Sequence, residues 1–171
     1  GEKYDKTKVE VEAVRTADGI NKLLAECSQK GMKKLVMLPG TYRISNTKTI
    51  EVPSGFTLDL NGATIKLNEF TGCSAMMIRI RDGIDSHVIN GTVEGDYFEH
   101  DYKNSEKNSE WVCGVDISGS SKYSSIENLN IRYVTGYGAS NGFHDNYAYP
   151  IGIGANKFKS GDISTKDGLD T

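Results

Sequence analysis

Four short stretches of this chain align with one another, and their spacing restricts the fold more than any other feature. They are Leu60-Asn61-Gly62-Ala63-Thr64-Ile65, Ile89-Asn90-Gly91-Thr92-Val93, Ile126-Glu127-Asn128-Leu129-Asn130-Ile131 and Lys159-Ser160-Gly161-Asp162-Ile163. The shared pattern is an apolar residue, a bend of one or two small or amide residues, then an alternating strand. From Asn61 the steps are 29 residues to Asn90, 38 to Asn128 and 32 to Ser160. One turn of a parallel β-helix takes about 20–30 residues, and extra length is carried in loops on one face. The steps suit one coil per repeat, with the polar stretch 96–110 as an inserted loop.

The rest of the chain agrees with an all-β body behind one helix. Thr16 or Asp18 can cap a helix whose apolar positions Ile20, Leu23, Leu24 and Cys27 follow the 3.6-residue period, and Gly31 stands where a C-terminal cap belongs. After Gly31 that period stops. Short β-type runs follow at 35–38, 41–44, 49–52, 56–60, 63–67, 76–80, 87–90, 112–117, 125–126 and 130–134. Gly, Asn, Asp or Ser separates most of them, and Pro39-Gly40 and Pro53-Ser54-Gly55 are turn signals. A sandwich, a barrel and a β-solenoid all fit such runs, but a sandwich would show hairpin turns about every 8–12 residues. The repeat spacing therefore favours the solenoid. Stacked coils bury a column of Ile, Leu and Val that no single coil can bury. Stacked bends can carry Asn side chains in ladders, as amide stacks do. The open end of such a column needs blocking, and the amphipathic helix is placed to plug it. Three segments result: an arm at 1–15, the capping helix at 16–31 and the coils from 32 to 171.

Charge and cysteine content narrow the function classes. Lys and Arg number 20 against 23 Asp and Glu, a formal charge of −3, and the basic residues are scattered. Nucleic acid is a poor partner for such a surface. No window reaches the about 18 uninterrupted apolar residues of a membrane helix, and no basic-then-apolar leader opens the chain, so any secretion signal is absent or already removed. Cys27, Cys73 and Cys113 are far apart, odd in number and without zinc spacing. They read as small buried hydrophobes.

The stretch Ala17-Asp18-Gly19-Ile20-Asn21-Lys22-Leu23-Leu24, then Gly31, then Leu35-Val36-Met37-Leu38-Pro39-Gly40-Thr41-Tyr42-Arg43-Ile44, resembles the opening of the pectate-lyase-like right-handed parallel β-helix superfamily. Gly55-Phe56-Thr57-Leu58-Asp59-Leu60 and Asn90-Gly91-Thr92-Val93-Glu94-Gly95-Asp96 are similar to its second and third coils. The resemblance runs over residues 17–135. It implies a right-handed single-stranded parallel β-helix of about five to six coils, with an N-terminal capping α-helix and a C-terminal end truncated within a repeat. It also implies polysaccharide as the substrate class, since that superfamily includes pectate and pectin lyases, polygalacturonase-like hydrolases, alginate epimerases and phage tailspike depolymerases.

Three groupings are candidates for chemistry. Glycoside hydrolysis needs two carboxyl groups across the bond. A lyase needs a base, often with Ca²⁺ held by several carboxylates. The first grouping holds Glu94, Asp96 and His100 among Tyr97, Phe98, Glu99, Asp101 and Tyr102. If Thr92, Glu94 and Asp96 continue a strand they share one face, and His100 and Trp111 would fold over it as a sugar platform. A solvated loop with an aromatic anchor is the plainer alternative. The second is Asp162, Asp167 and Asp170, where Thr165-Lys166-Asp167-Gly168-Leu169-Asp170 is similar to the Asn-Thr-Asp-Gly-x-Asp signature of polygalacturonase-like hydrolases. Asp167 and Asp170 match its catalytic positions, Thr165 and Lys166 do not, and a plain Asp-Gly turn competes with the resemblance. The third is the loop 137–149, in which Tyr137, His144 and Tyr147 can line a carbohydrate groove or simply cross between coils. His87 reads as structural. Asp82 and Asp85 are too few ligands for Ca²⁺, so no cofactor is expected outside a Ca²⁺-dependent lyase.

The expectation is the N-terminal part of a polysaccharide-directed protein, secreted or carried on a phage tail. Its parent would be a hydrolase or lyase acting on a cell-surface or teichoic-acid-like polymer. A non-catalytic adhesin or structural spike segment is the alternative. The expected partner is a cell-wall glycan, without nucleic acid or membrane, and tailspike-like relatives imply a homotrimer.

Overall fold

A computed structural model describes residues 16–45, 48–68, 74–100, 111–134, 137–140 and 157–159. Helix α1 spans Ala17–Gln29. Thr16 caps it, its side-chain oxygen accepting from the Gly19 amide at 3.1 Å. Gly31, at φ 76°, closes it with Gly31 N–H donating to Ser28 O and Met32 N–H to Cys27 O. These two bonds are the Schellman pattern, which only a residue tolerant of positive φ completes at no steric cost. Ala17, Ile20 and Leu24 are buried, and the helix packs against the first strands of both sheets.

Those sheets contain eleven strands among the described residues. The first sheet holds β1 (Lys34–Val36), β2 (Thr41–Ile44), β4 (Thr57–Asp59), β5 (Thr64–Leu67), β7 (His87–Glu94), β9 (Ser125–Arg132) and β11 (Lys157–Lys159). The second holds β3 (Ile50–Glu51), β6 (Ser74–Arg81), β8 (Trp111–Ser118) and β10 (Tyr137–Ser140), in the order β10-β8-β6-β3. Every pairing is parallel except β11 with β9.

A single-stranded solenoid of five to six coils is therefore not what these strands form. They form a curled sheet of parallel strands, backed by a four-stranded parallel sheet and one helix. The reason lies in how the short runs join. β7 is one long strand that pairs with β4 through its first half and with β5 through its second. Runs that look like separate rungs in sequence are thus two halves of one line, bent at Leu60-Asn61-Gly62. In the same way β1 pairs with β4, and β2 with β5, across the Pro39-Gly40 turn. The antiparallel pairing of β11 also breaks the uniform stacking that the repeats suggest.

Register fixes which side chains face inward. Tyr42, Ile65 and Val93 align across β2, β5 and β7, and Ile131 continues the row on β9. Leu58, Val88 and Ile126 align likewise, as do Ile50, Ile78 and Val115 in the second sheet. All these side chains are buried in one apolar cluster. Burial of about 25 cal/mol per Å² of apolar surface is what holds the two sheets and the helix together. Cys113 is buried, and Cys27 is half-buried against this cluster. Cys73 lies outside the described residues.

Candidate functional site

Asn61, Asn90 and Asn128 occupy the bend of three successive repeats at φ 48°, 62° and 54°. Asn tolerates this left-handed region better than other side-chain-bearing residues. The side-chain amides of Asn90 and Asn128 are linked, whereas Asn61 Nδ2 donates to Met37 O at 3.1 Å. Asn128 Nδ2 donates to Asn90 Oδ1 at 3.0 Å, and Asn90 Nδ2 donates to Asp59 Oδ1 at 3.1 Å. Asp59 Oδ1 also accepts from the Asn61 backbone N–H at 3.0 Å, and Oδ2 pairs with Lys34 Nζ at 2.7 Å. Burial pushes the Asp59 carboxyl up, yet the hydrogen bonds from Lys34, Asn90 and Asn61 outweigh it and hold the group below its ordinary range.

Downstream of the bend, β5, β7 and β9 present one outward face. Thr64, Thr92 and Asn130 align across them, and two residues further Lys66, Glu94 and Arg132 do the same. Glu94 is held on both sides. Its Oε1 accepts from Lys66 Nζ at 2.8 Å, and its Oε2 accepts from Arg132 Nε and Nη2 at 3.0 and 2.8 Å. Glu99 reaches the same Lys66 ammonium at 3.2 Å. The hydrogen bond from Lys66 keeps the Glu94 carboxyl low, against the opposing effect of burial and with help from Arg132; the Lys66 ammonium is raised in return. A glycosidase needs one carboxyl of its pair protonated. Glu94, held low, does not meet that requirement.

Beyond Glu94 the chain hooks onto the end of β9. Gly95 N–H donates to Arg132 O and Tyr97 N–H to Tyr133 O. A Cβ at Gly95 would collide with the Tyr133 carbonyl, so the close approach requires glycine. The hook leaves Tyr97, Phe98 and Tyr133 exposed together. Phe98 is 75% exposed and stands edge-on to both neighbours, with ring centroids 5.1 Å from Tyr97 and 5.0 Å from Tyr133. The Arg132 guanidinium lies 5.2 Å from the Tyr133 ring centroid.

Asp96 and His100 do not join this face. Asp96 leaves the strand after Glu94 and turns inward, with Oδ2 2.8 Å from His100 Nδ1 and both side chains fully buried. His100 thus lies inside the hook rather than over the face. Trp111 opens β8 opposite Ser74, and Tyr137 opens β10 opposite Cys113. His144, Tyr147, Asp167 and Asp170 lie outside the described residues.

Two features were not singled out from sequence. Lys66, Arg132 and the Tyr97-Phe98-Tyr133 cluster belong to the face, and a signal for the first two exists: Arg132 stands four residues after Asn128, as Glu94 does after Asn90, and Lys66 five after Asn61. The other is a hydrogen-bonded chain at the start of β7. Asp85 Oδ1 is 2.9 Å from His87 Nε2, and His87 Nδ1 is 2.6 Å from Ser125 Oγ. These residue types match a nucleophile–base–acid order, but the Ser125 hydroxyl donates to Glu127 Oε1 at 2.9 Å and Ser125 is buried. A nucleophile needs its proton directed at the base and its oxygen open to substrate. The chain is a structural clasp between strands.

In the second sheet, Glu51, Arg79 and Asp116 align across β3, β6 and β8, Asp116 being buried. Arg79 binds Glu51 in a fork, Nη2 to Oε1 at 2.6 Å and Nε to Oε2 at 3.2 Å. Among the described residues, no group of three or more His, Cys, Asp or Glu is placed to hold a metal ion, and no helix is long and apolar enough to cross a membrane.

No protein-family model matches the sequence. No curated protein matches it. Solved structures with a similar fold include a "putative glycosyl hydrolase" from Parabacteroides merdae, at a TM-score of 0.55 and 15% identity over 71% of this chain. The likeness is one of fold, and this chain spans 59% of that protein's length.

Proposed function

We propose that this chain recognises a polysaccharide on the outward face of β5, β7 and β9, and that this face binds sugar without cleaving it. The observation that carries the reading is the exposed cluster of Tyr97, Phe98 and Tyr133 beside Arg132. Exposed aromatic groups rimmed by polar side chains mark interaction sites, and aromatic and Arg side chains dominate binding energetics. Sugar rings offer apolar C–H faces to such groups and hydroxyls to the ionised side chains around them. The superfamily resemblance in sequence and the description of the Parabacteroides merdae protein support a glycan-directed role. Binding rather than hydrolysis is favoured at this face because Glu94 is held ionised and Asp96 is buried.

Titration of the chain with soluble cell-wall and plant polysaccharides tests the reading. Binding of at least one glycan, weakened about tenfold by Phe98→Ala, is expected; tenfold corresponds to about 1.4 kcal/mol. Failure of every glycan to bind, or binding indifferent to Phe98→Ala, overturns it. The second reading, cleavage, has the Asp167-Gly168-Leu169-Asp170 stretch in its favour. Release of reducing ends that Asp167→Asn abolishes would establish it.

A further inference from the structure

The bends that carry the asparagine ladder line an open groove of about 660 Å³, bounded by Asn61, Asn90, Thr92, Asn128, Leu129 and Asn130 together with Gly62 and Gly91. No lining residue is charged. Hydrogen-bonding capacity is nevertheless left over. Among the described residues, the ladder uses Asn128 Nδ2 and both polar atoms of Asn90, whereas Asn128 Oδ1, Asn61 Oδ1, the Thr92 hydroxyl and the Asn130 amide have no partner. The ladder also fixes the amides it uses, so their orientation is set before any ligand arrives. A rigid concave surface with convergent amide and hydroxyl groups suits a ligand rich in hydroxyls.

The groove is not isolated from the aromatic cluster. Thr92 is two residues before Glu94 on β7, and Asn130 is two before Arg132 on β9, on the same outward face. At about 3.3 Å per residue, roughly 13 Å separates Asn90 from Glu94 along the strand. An extended oligosaccharide spans that distance.

We propose that the asparagine groove is a second subsite for the same glycan, selective for neutral, hydroxyl-rich sugar units, with the polymer running along the strands from the groove to Phe98. This inference rests on the glycan-binding reading above. In it, amide groups of the groove donate to and accept from sugar hydroxyls. An acidic sugar finds no cation in the groove lining to balance its charge.

The test is calorimetric titration of the full chain with cellohexaose, xylohexaose, mannohexaose and maltohexaose, and with an oligogalacturonate hexamer as the acidic probe. The variants are Thr92→Val, Asn130→Leu and Phe98→Ala, each checked for unchanged melting. Thr92→Val removes a hydroxyl at constant shape and decides the matter if Asn130→Leu does not fold. At least one neutral hexaose is expected to bind, and Thr92→Val to weaken it about fivefold, the effect of one net hydrogen bond. The corresponding disaccharide, too short to span both subsites, should respond to Phe98→Ala and not to Thr92→Val. Hexaose affinity that falls with Phe98→Ala yet ignores both groove variants overturns the second subsite and leaves the aromatic reading standing. Affinity lost in the groove variants alone supports the groove and overturns the aromatic reading. Tighter, groove-dependent binding of the acidic hexamer overturns the neutral class, and no binding by any probe overturns both.

Discussion

Nζ of Lys66 and Oε1 of Glu94 meet at 2.8 Å across neighbouring strands, and each side chain is only 15% exposed. Arg132 closes the other side of the same carboxylate. Glu94 is thereby the centre of the outward face, tying β5, β7 and β9 together by charge where the inward side ties them by apolar packing.

Replacing Glu94 with Gln should destabilise the fold by about 1.5–3 kcal/mol at neutral pH, the range for hydrogen bonds to charged groups. The pH dependence has a definite sign. The folded carboxyl ionises below the ordinary glutamate value of 4.5, so its contribution is fully present above that value. It is lost as the pH falls through the folded-state pKa. Urea unfolding of both proteins should show a gap that is constant from pH 7 to 5 and narrows below pH 4.5. A gap that widens on acidification contradicts this role.

Asn21 makes the corresponding link at the helix. Its Nδ2 donates to Thr49 O at 2.8 Å and its Oδ1 accepts from Glu51 N at 2.9 Å, so one side chain satisfies both a donor and an acceptor on the edge of β3. Asn21→Ala should cost about 1–2 kcal/mol in denaturant unfolding. Asn21→Asp should be no better, because a carboxylate oxygen then faces the Thr49 carbonyl. Stability equal to the parent in either variant would show that the clip contributes nothing.

How much of this was legible in the sequence depends on range. The helix, its Thr16 cap and the Gly31 stop follow from local rules, because capping needs only residues within one turn. The bends at Asn61, Asn90 and Asn128 were legible for the same reason. What the repeats did not reveal is that β4 and β5 are halves of one line paired to an unbroken β7, since that depends on register between strands about 30 residues apart. At the site, Glu94 was visible as a charge. Its partners were not, because Lys66 and Arg132 reach it only through that register. Asp96 was expected beside Glu94 on the strand face, but the strand ends at Glu94 and the hook at Gly95 turns the next carboxylate inward.

Gly62 and Gly91 are needed for different reasons, and alanine separates them. Gly62 has φ 80° in open space, so Gly62→Ala incurs only the left-handed backbone cost of about 1–2 kcal/mol. Gly91 sits against the chain below it. A Cβ there would collide with the Leu60 side chain and approach the Ala63 carbonyl to 2.8 Å. Overpacking of this kind costs about 1–3 kcal/mol and displaces backbone. Gly91→Ala should therefore alter amide chemical shifts in β5 as well as β7, whereas Gly62→Ala should disturb only its own bend.

The ladder makes the last prediction a test of cooperativity. Asp59 Oδ1 accepts from both the Asn61 backbone N–H and Asn90 Nδ2, and Asn90 passes the link to Asn128. Asp59→Ala leaves Asn90 Nδ2 without its acceptor, and Asn90→Ala takes one donor from Asp59 Oδ1, so each single variant already loses the bond they share. Residues in direct contact couple by about 0.5–3 kcal/mol. Asp59→Ala and Asn90→Ala combined should accordingly destabilise less than the sum of the two alone. Acid adds a control. The Asp59 carboxyl titrates below 3.8 when folded, so its contribution is complete above that value and disappears as the pH falls through the folded pKa. The coupling measured by urea unfolding should shrink as the pH is lowered below 3.8. Strict additivity at pH 7 would mean that the amides merely lie near one another and that the bend is set by backbone conformation alone.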